Sequence, residues 1–464
     1  MPRPDLKSPA ASATAPAGER PLWKTFLVFL GPLVLTNMLQ ALSGTLNNIY
    51  VGQLLGIGAL AAVAAFFPLL MFFVAFVIGL GSGASIMVGQ AWGANDIDRV
   101  RAIAGTVICA GALMGAAVGL LGFLLAGPLL RLLGTPADVL ADAIAYARVM
   151  MFFLPLLFTS VLAAAVLRGV SDTVTALRSL LVSSGVILVL TPALIRGWTG
   201  LPPMGVTSGA WATLVATALS LAWIVWHLLR HRHPLAPDRA FRPHWRIQSR
   251  LLRPIVRLGV PTGLFFITGS IADLALVRIV NSHGSHATAA WGAVSQVMAY
   301  VTFPAMSIAI TASILTAQAI GAGRFEQVAA VTRVGLRMNL AITGGLAVLA
   351  ALLASQIVSL FITDPSVVQL AARLLHIAVW GAVVLGLGSV FSGIMRASGT
   401  VLVPTIISLS LLAFLLFPLG WLFDRMFGLE GIWMTYPVSY SIGCVLQAAY
   451  FYGIWRKKPL RRIG

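Results

Sequence analysis

Only 9% of the 464 residues are charged and 59% are apolar, whereas a soluble domain carries roughly 25% charged residues. The chain is therefore a polytopic membrane protein with no room for a sizeable soluble domain. Its net charge of +18 does not call for nucleic acid, because Lys and Arg collect in the cytoplasmic loops of membrane proteins for a different reason.

Residues 1–21 are rich in Pro, Ala and Ser and read as a disordered cytoplasmic tail. Apolar stretches follow near 24–50, 58–90, 102–127, 139–165, 176–196 and 205–229. They recur near 254–281, 287–317, 331–361, 367–394, 401–423 and 430–455. Each reaches the roughly 20 residues needed to cross the hydrocarbon. A basic cytoplasmic linker, 231–253, separates an amino-terminal lobe (22–230) from a carboxy-terminal lobe (254–456), and 457–464 form a basic tail. The expected fold is all-α, with twelve transmembrane helices in two six-helix lobes. Continuous apolar runs exclude a β-barrel, whose strands alternate. Cys109 and Cys444 both lie inside apolar stretches, which argues against a disulfide framework.

The two lobes repeat each other. Gln90-Ala91-Trp92-Gly93-Ala94 returns as Gln318-Ala319-Ile320-Gly321-Ala322, and at the same offset of 228 Gly56 falls on Gly284 and Arg168 on Arg396. Paired membrane repeats around a central site are a common transporter design. Loops on one side carry Arg99, Arg101, Arg168, Arg178, Arg324, Arg333, Arg337 and Arg396, and the link from 230 to 257 adds eight arginines. The opposite loops show only Arg131, Arg196 and Arg425. This bias places both termini and the link in the cytoplasm. The link reads as a solvated collar that anionic lipid head groups would attract. Pro32 and Pro261 take matching places in the first helix of each lobe. Proline removes a backbone donor and can bend its helix, so both are candidate hinges.

Several motifs now stand in order: Gly31-Pro32, Asn47-Asn48-Ile49-Tyr50-Val51-Gly52, Gly83-Ala84-Ser85, Gly93-Ala94, Leu167-Arg168-Gly169, Gly209-Ala210-Trp211, Met395-Arg396-Ala397-Ser398-Gly399 and Gly428-Leu429-Glu430-Gly431. Together they resemble the multidrug and toxic compound extrusion (MATE) family over about residues 21–456. The resemblance implies a central V-shaped cavity between the lobes and alternating access. It also implies export of amphipathic, cationic compounds, driven by proton or sodium antiport. It further implies a monomer in the bacterial cytoplasmic membrane, with small organic substrates and membrane lipids as partners and no cofactor beyond transported H+ or Na+.

Acids typical of the family are missing here. The first-helix Asp position is Asn47, the fifth-helix pattern reads Ile187 through Thr191-Pro192, and the tenth-helix position falls near Leu385. One acid remains deep in a span, Asp273, and intramembrane acids are costly and usually functional. It is the first candidate for cation coupling. His376 is the second, since an imidazole titrates near neutral pH. Arg148 lies too deep to reach either surface easily, which predicts a cavity role or a pairing with Asp273. Thr36, Gln40 and Asn47 share one helical face and, with Asn37, Ser184, Thr191 and Gln296, are candidate cavity residues.

Other classes fit less well. An enzyme would need clustered acids, His or Cys, and the intramembrane ionisable groups are few and scattered. A channel would need a ring of filter groups that two unequal halves cannot supply. A flippase for lipid-linked saccharides is the alternative transporter, but its phosphates would call for several cavity arginines, and only Arg148 is in place.

Overall fold

The computed structural model of the chain describes residues 21–198, 200, 204–361 and 364–463. The expected amino-terminal tail lies, apart from Pro21, outside the described residues. Among the described residues there is no strand. The first six helices are α1 (Leu22–Leu55), α2 (Ile57–Gly93), α3 (Ile97–Leu132), α4 (Leu140–Gly169), α5 (Thr173–Arg196) and α6 (Ser208–Arg230). The second six are α7 (Ser249–Asn281), α8 (Ser285–Gly321), α9 (Glu326–Leu352), α10 (Pro365–Ala397), α11 (Leu402–Phe427) and α12 (Leu429–Gly453). Eleven of them are long and apolar enough to cross a membrane. The twelfth expected span is the continuous 25-residue α12, whose Thr435, Ser439, Ser441 and Gln447 dilute its apolar character.

The loop acids explain where several helices start. Asp96 caps α3 by accepting from the Arg99 amide at 3.0 Å, and Asp172 caps α5 by accepting from the Thr175 amide at 3.0 Å. Asp364 accepts from the Ser366 amide at 2.8 Å, just before Pro365 opens α10. Each satisfies a helix-end donor that would otherwise lack a partner. These carboxylates serve the fold as helix caps.

The repeat is written in the backbone as well. Left-handed corners fall at Gly56 and Gly284, Asn95 and Gly323, Ser171 and Gly399, and Gly200 and Gly428. Every pair is 228 residues apart. A shared sequence period alone could be decorative; a shared set of chain reversals means that both halves follow one folding plan.

The helices gather into two compact units. The first holds Leu35–Trp92 and Asp96–Gly259. The second holds Val260–Gly464, the start of α1 up to Val34, and Gly93–Asn95. Both α1 and α7 thus change unit part-way along, two or three residues past Pro32 and at Gly259–Val260, just before Pro261.

In the first unit, Gly111, Gly115, Gly119 and Gly122 form a stripe along α3 that faces Leu162, Pro155 and Met151 of α4. A methyl group at Gly115 would sit 2.7 Å from the Pro155 Cα. Lipid tails are as apolar as Leu, so such small-residue seams supply the close packing that holds membrane helices together. In the second unit a core of Ala290, Val294, Val297 and Val301 of α8 packs on Ala371, Leu374, Ala378 and Ala382 of α10. There α1 contributes Phe26 and Leu30, fully buried among Ile308, Ile320, Val390 and Phe451.

Two π-helical turns interrupt the second unit, at Asn339–Thr343 in α9 and Leu411–Leu416 in α11. The first contains buried Asn339, whose amide donates to the Val383 carbonyl at 2.8 Å and whose oxygen accepts from Thr343 Oγ1 at 3.1 Å.

The basic link is folded. Leu235, Ala236 and Phe241 are buried, Arg101 Nε donates to the Pro234 carbonyl at 2.8 Å, and Thr106 Oγ1 donates to the Arg246 carbonyl at 3.3 Å. The link is thus a strap laid on the first unit, and α7 begins at Ser249, within the stretch expected to be linker.

Candidate functional site

In the first unit the polar residues of α1 do share a line. Thr36, Gln40, Ser43 and Asn47 follow the helical spacing, with Gln40 exposed and the other three half-buried. Two of them reach α5. The Ser43 hydroxyl donates to Ser184 Oγ at 2.7 Å, and the Thr191 hydroxyl donates to Asn47 Oδ1 at 3.4 Å. Ser184 and Thr191 are both buried, so these bonds satisfy hydroxyls that lack water. Gly209, at the start of α6, leaves room beside the Asn47 amide, since a methyl there would lie 3.5 Å from Oδ1. Ser43 was not singled out in the sequence, although its place seven residues after Thr36 puts it on the same face. Asn37 is half-buried on the neighbouring face of α1.

In the second unit Asp273 is an exposed residue of α7, beside the buried row Ala272, Leu276 and Val280. Its Oδ1 accepts from the Tyr436 hydroxyl of α12 at 3.0 Å. Tyr436 in turn lies 5.9 Å from the Tyr440 ring and 5.8 Å from the Trp433 ring, and Trp433 lies 4.3 Å from Trp291 of α8. A single carboxylate therefore stands at the edge of a four-ring aromatic cluster. Tyr436 and the tryptophans were missed because nothing in the sequence of α12 marks which of its aromatic residues meets α7.

Other expected site residues sit elsewhere. Arg148 is exposed, with its guanidinium 5.5 Å from the centre of the Phe123 ring. Among the described residues it makes no ion pair. A cation over a ring face is a stable alternative where water is scarce. His376 is exposed, with Nδ1 2.6 Å from the Ala372 carbonyl of its own helix. Gln296 is half-buried in α8. Arg168 and Arg396 end α4 and α10, where a cation suits the negative end of a helix, and Arg396 Nη1 donates to Thr262 Oγ1 at 3.4 Å. Cys109 and Cys444 are free thiols.

A family model described as MatE matches residues 32–193 and again 261–422, beginning at Pro32 and at Pro261. The chain belongs to the MatE family. Over 444 residues it is 37% identical to "Probable multidrug resistance protein YoeA" of Bacillus subtilis, covering 95% of this chain and 96% of that one. It is 21% identical to "Multidrug export protein MepA" of Staphylococcus aureus over 93% of both chains. Among solved structures, a variant of the Vibrio cholerae MATE transporter VcmN matches with a TM-score of 0.87 at 21% identity, over 98% of this chain and 99% of that chain.

This MATE-family chain is a multi-pass membrane transporter and not an enzyme. Its doubled family match encloses three of the four pairs of chain reversals, Gly56 and Gly284, Asn95 and Gly323, and Ser171 and Gly399.

Proposed function

We propose that this MATE-family chain is a multidrug efflux transporter that exports amphipathic, cationic organic compounds from the cytoplasm in exchange for protons, with Asp273 as the coupling group. The observation that carries this reading is the hydrogen bond from Tyr436 to Asp273 at 3.0 Å. An intramembrane acid is expensive and is retained where it works. A phenol partner can steady the carboxylate and still leave it open to a proton. A sodium ion would want several oxygen ligands, and among the described residues Asp273 has one hydroxyl partner. The names of the Bacillus and Staphylococcus relatives support drug export as the activity. Thr36, Asn37, Gln40, Asn47, Ser184, Thr191, Gln296 and Arg148 are proposed to line the cargo path. Apolar walls with few polar groups suit varied amphipathic cargo.

Pro32 and Pro261 are proposed hinges, because α1 and α7 each change unit within about three residues of them. The membrane is read as the bacterial cytoplasmic membrane with both termini inside, on the strength of the arginine bias.

Proteoliposomes loaded with a fluorescent organic cation test the proposal. A proton gradient and a sodium gradient are imposed separately. The expected result is movement driven by the proton gradient and lost in Asp273→Asn. Undiminished movement in that variant would remove Asp273 from the mechanism.

A further inference from the structure

We infer that the strap and the first turns of α7 form a seat for an anionic phospholipid of the cytoplasmic leaflet. The inference does not depend on what the transporter carries.

The cations come first. Arg232, Arg239, Arg242, Arg246, Arg250, Arg253 and Arg257 are all exposed. Among the described residues none of them pairs with a carboxylate. The strap's one acid, Asp238, is turned back onto its own backbone and accepts from the Phe241 amide at 2.9 Å. Seven exposed guanidiniums along one stretch of chain, none paired with a carboxylate, attract an external anion. On α7 the helical spacing sets Arg250, Arg253 and Arg257 along one side, while Ile255 and Leu258 on the other side are buried. That buried side meets α2, where a methyl at Gly83 would lie 3.1 Å from the Leu258 Cβ.

Apolar surface comes second, and it is interleaved with the charge. Trp245 and Ile247 are 46% and 43% exposed. Trp245 packs edge-on against buried Phe241, with ring centres 5.3 Å apart, so its outer face is presented rather than loose. A few residues further along the chain, an open groove is walled by Ser249, Leu252, Arg253, Val256 and Arg257. Its walls are largely apolar and its rim carries two guanidiniums. A phosphate on the arginines with an acyl chain on Leu252 and Val256 matches both halves of that surface. Soluble anions match only one. Tryptophan is also the side chain most at home at the membrane–water boundary.

The seat is ordered in advance. Besides the bonds from Arg101 and Thr106, the Gln248 amide donates to Thr106 Oγ1 at 3.4 Å. Gly105 leaves space for the His244 carbonyl to lie against α3. Little backbone entropy remains to be lost when the lipid binds.

The test uses the full chain in nanodiscs of phosphatidylcholine, with and without phosphatidylglycerol. Phosphatidylglycerol is expected to raise the melting temperature by several degrees, and R250Q/R253Q/R257Q is expected to lose most of that rise. Arg131→Gln, at the opposite end of α3, is expected to keep it. An equal rise in the triple variant would overturn the proposal. So would an equal rise produced by inorganic phosphate or by soluble RNA in phosphatidylcholine discs. Should the triple variant fold poorly, Trp245→Phe in the otherwise native chain gives a second reading. Brominated phosphatidylglycerol is expected to quench less tryptophan emission in that variant than in the parent. Quenching unchanged by the loss of Trp245 would also overturn the seat.

Discussion

The Tyr436 hydroxyl donates to Asp273 Oδ1 at 3.0 Å, joining α12 to α7 within one unit. Hydrogen bonds between membrane helices are worth about 0.6 kcal/mol on average. Tyr436→Phe should therefore slow gradient-driven export only about threefold, while Asp273→Asn abolishes it. The comparison is made by initial rates in proteoliposomes. Equal losses in the two variants would mean that the phenol does more than hold the carboxylate in place.

The glycine seam between α3 and α4 should be intolerant of bulk. Gly119 faces the Met151 carbonyl, 2.5 Å from where a methyl would sit, and that carbonyl belongs to backbone that cannot swing aside. Overpacking of this kind costs about 1–3 kcal/mol, so Gly119→Leu should lower the unfolding midpoint clearly in detergent. Gly127→Ala, where the nearest atom is the flexible Ile144 Cδ1 at 3.6 Å, should leave the midpoint nearly unchanged.

Asn339 is fully buried and bridges its own π-helical turn to the Val383 carbonyl on α10. Asn339→Leu removes the donor and sets a branched side chain against Gly386, which has room for none. The expected loss is about 1–3 kcal/mol, the usual cost of a buried polar group left unpaired. A variant as stable as the parent would show that the bridge is ornamental.

The strap carries a pH-dependent contact. His233 Nδ1 accepts from the Leu235 amide at 3.2 Å, while the buried Nε2 lies 3.7 Å from the Asp172 carboxylate, too far for a hydrogen bond. Burial lowers the His233 pKa below the ordinary 6.5, Asp172 works against that shift, and His227 adds to it. A histidine with a depressed folded pKa contributes stability that is whole above the unfolded value and is lost as pH falls through the folded one. The chain should therefore lose stability as pH drops below about 6.5, the ordinary histidine value. His233→Asn should flatten that part of the profile, as read from melting temperatures across a pH series. An unaltered slope would place the sensitivity elsewhere.

The fold was legible because membrane spans announce themselves: each must be apolar for some 20 residues, and the repeat of Arg168 on Arg396 showed which spans correspond. α12 was marked by its apolar stretch near 430–455, although Thr435, Ser439, Ser441 and Gln447 dilute it. The site was only half legible. Spacing on α1 brought out Thr36, Gln40 and Asn47, since one helix fixes its own faces, but Ser43 escaped notice for want of a large polar group. The Asp273 partner was unreadable, because pairing between α7 and α12 depends on packing that no local pattern encodes. For Arg148 the depth in a span was visible, and the Phe123 ring beside it was not.

The crossing of α1 and α7 from one unit into the other has a practical consequence. Cutting this chain within the strap would yield two fragments of six helices, neither able to finish itself. Phe26 and Leu30 would leave on the first piece while their sockets at Ile308, Ile320 and Phe451 stayed on the second. The halves look like duplicates, yet each borrows a helix end from its sibling, so neither packs on its own sequence alone.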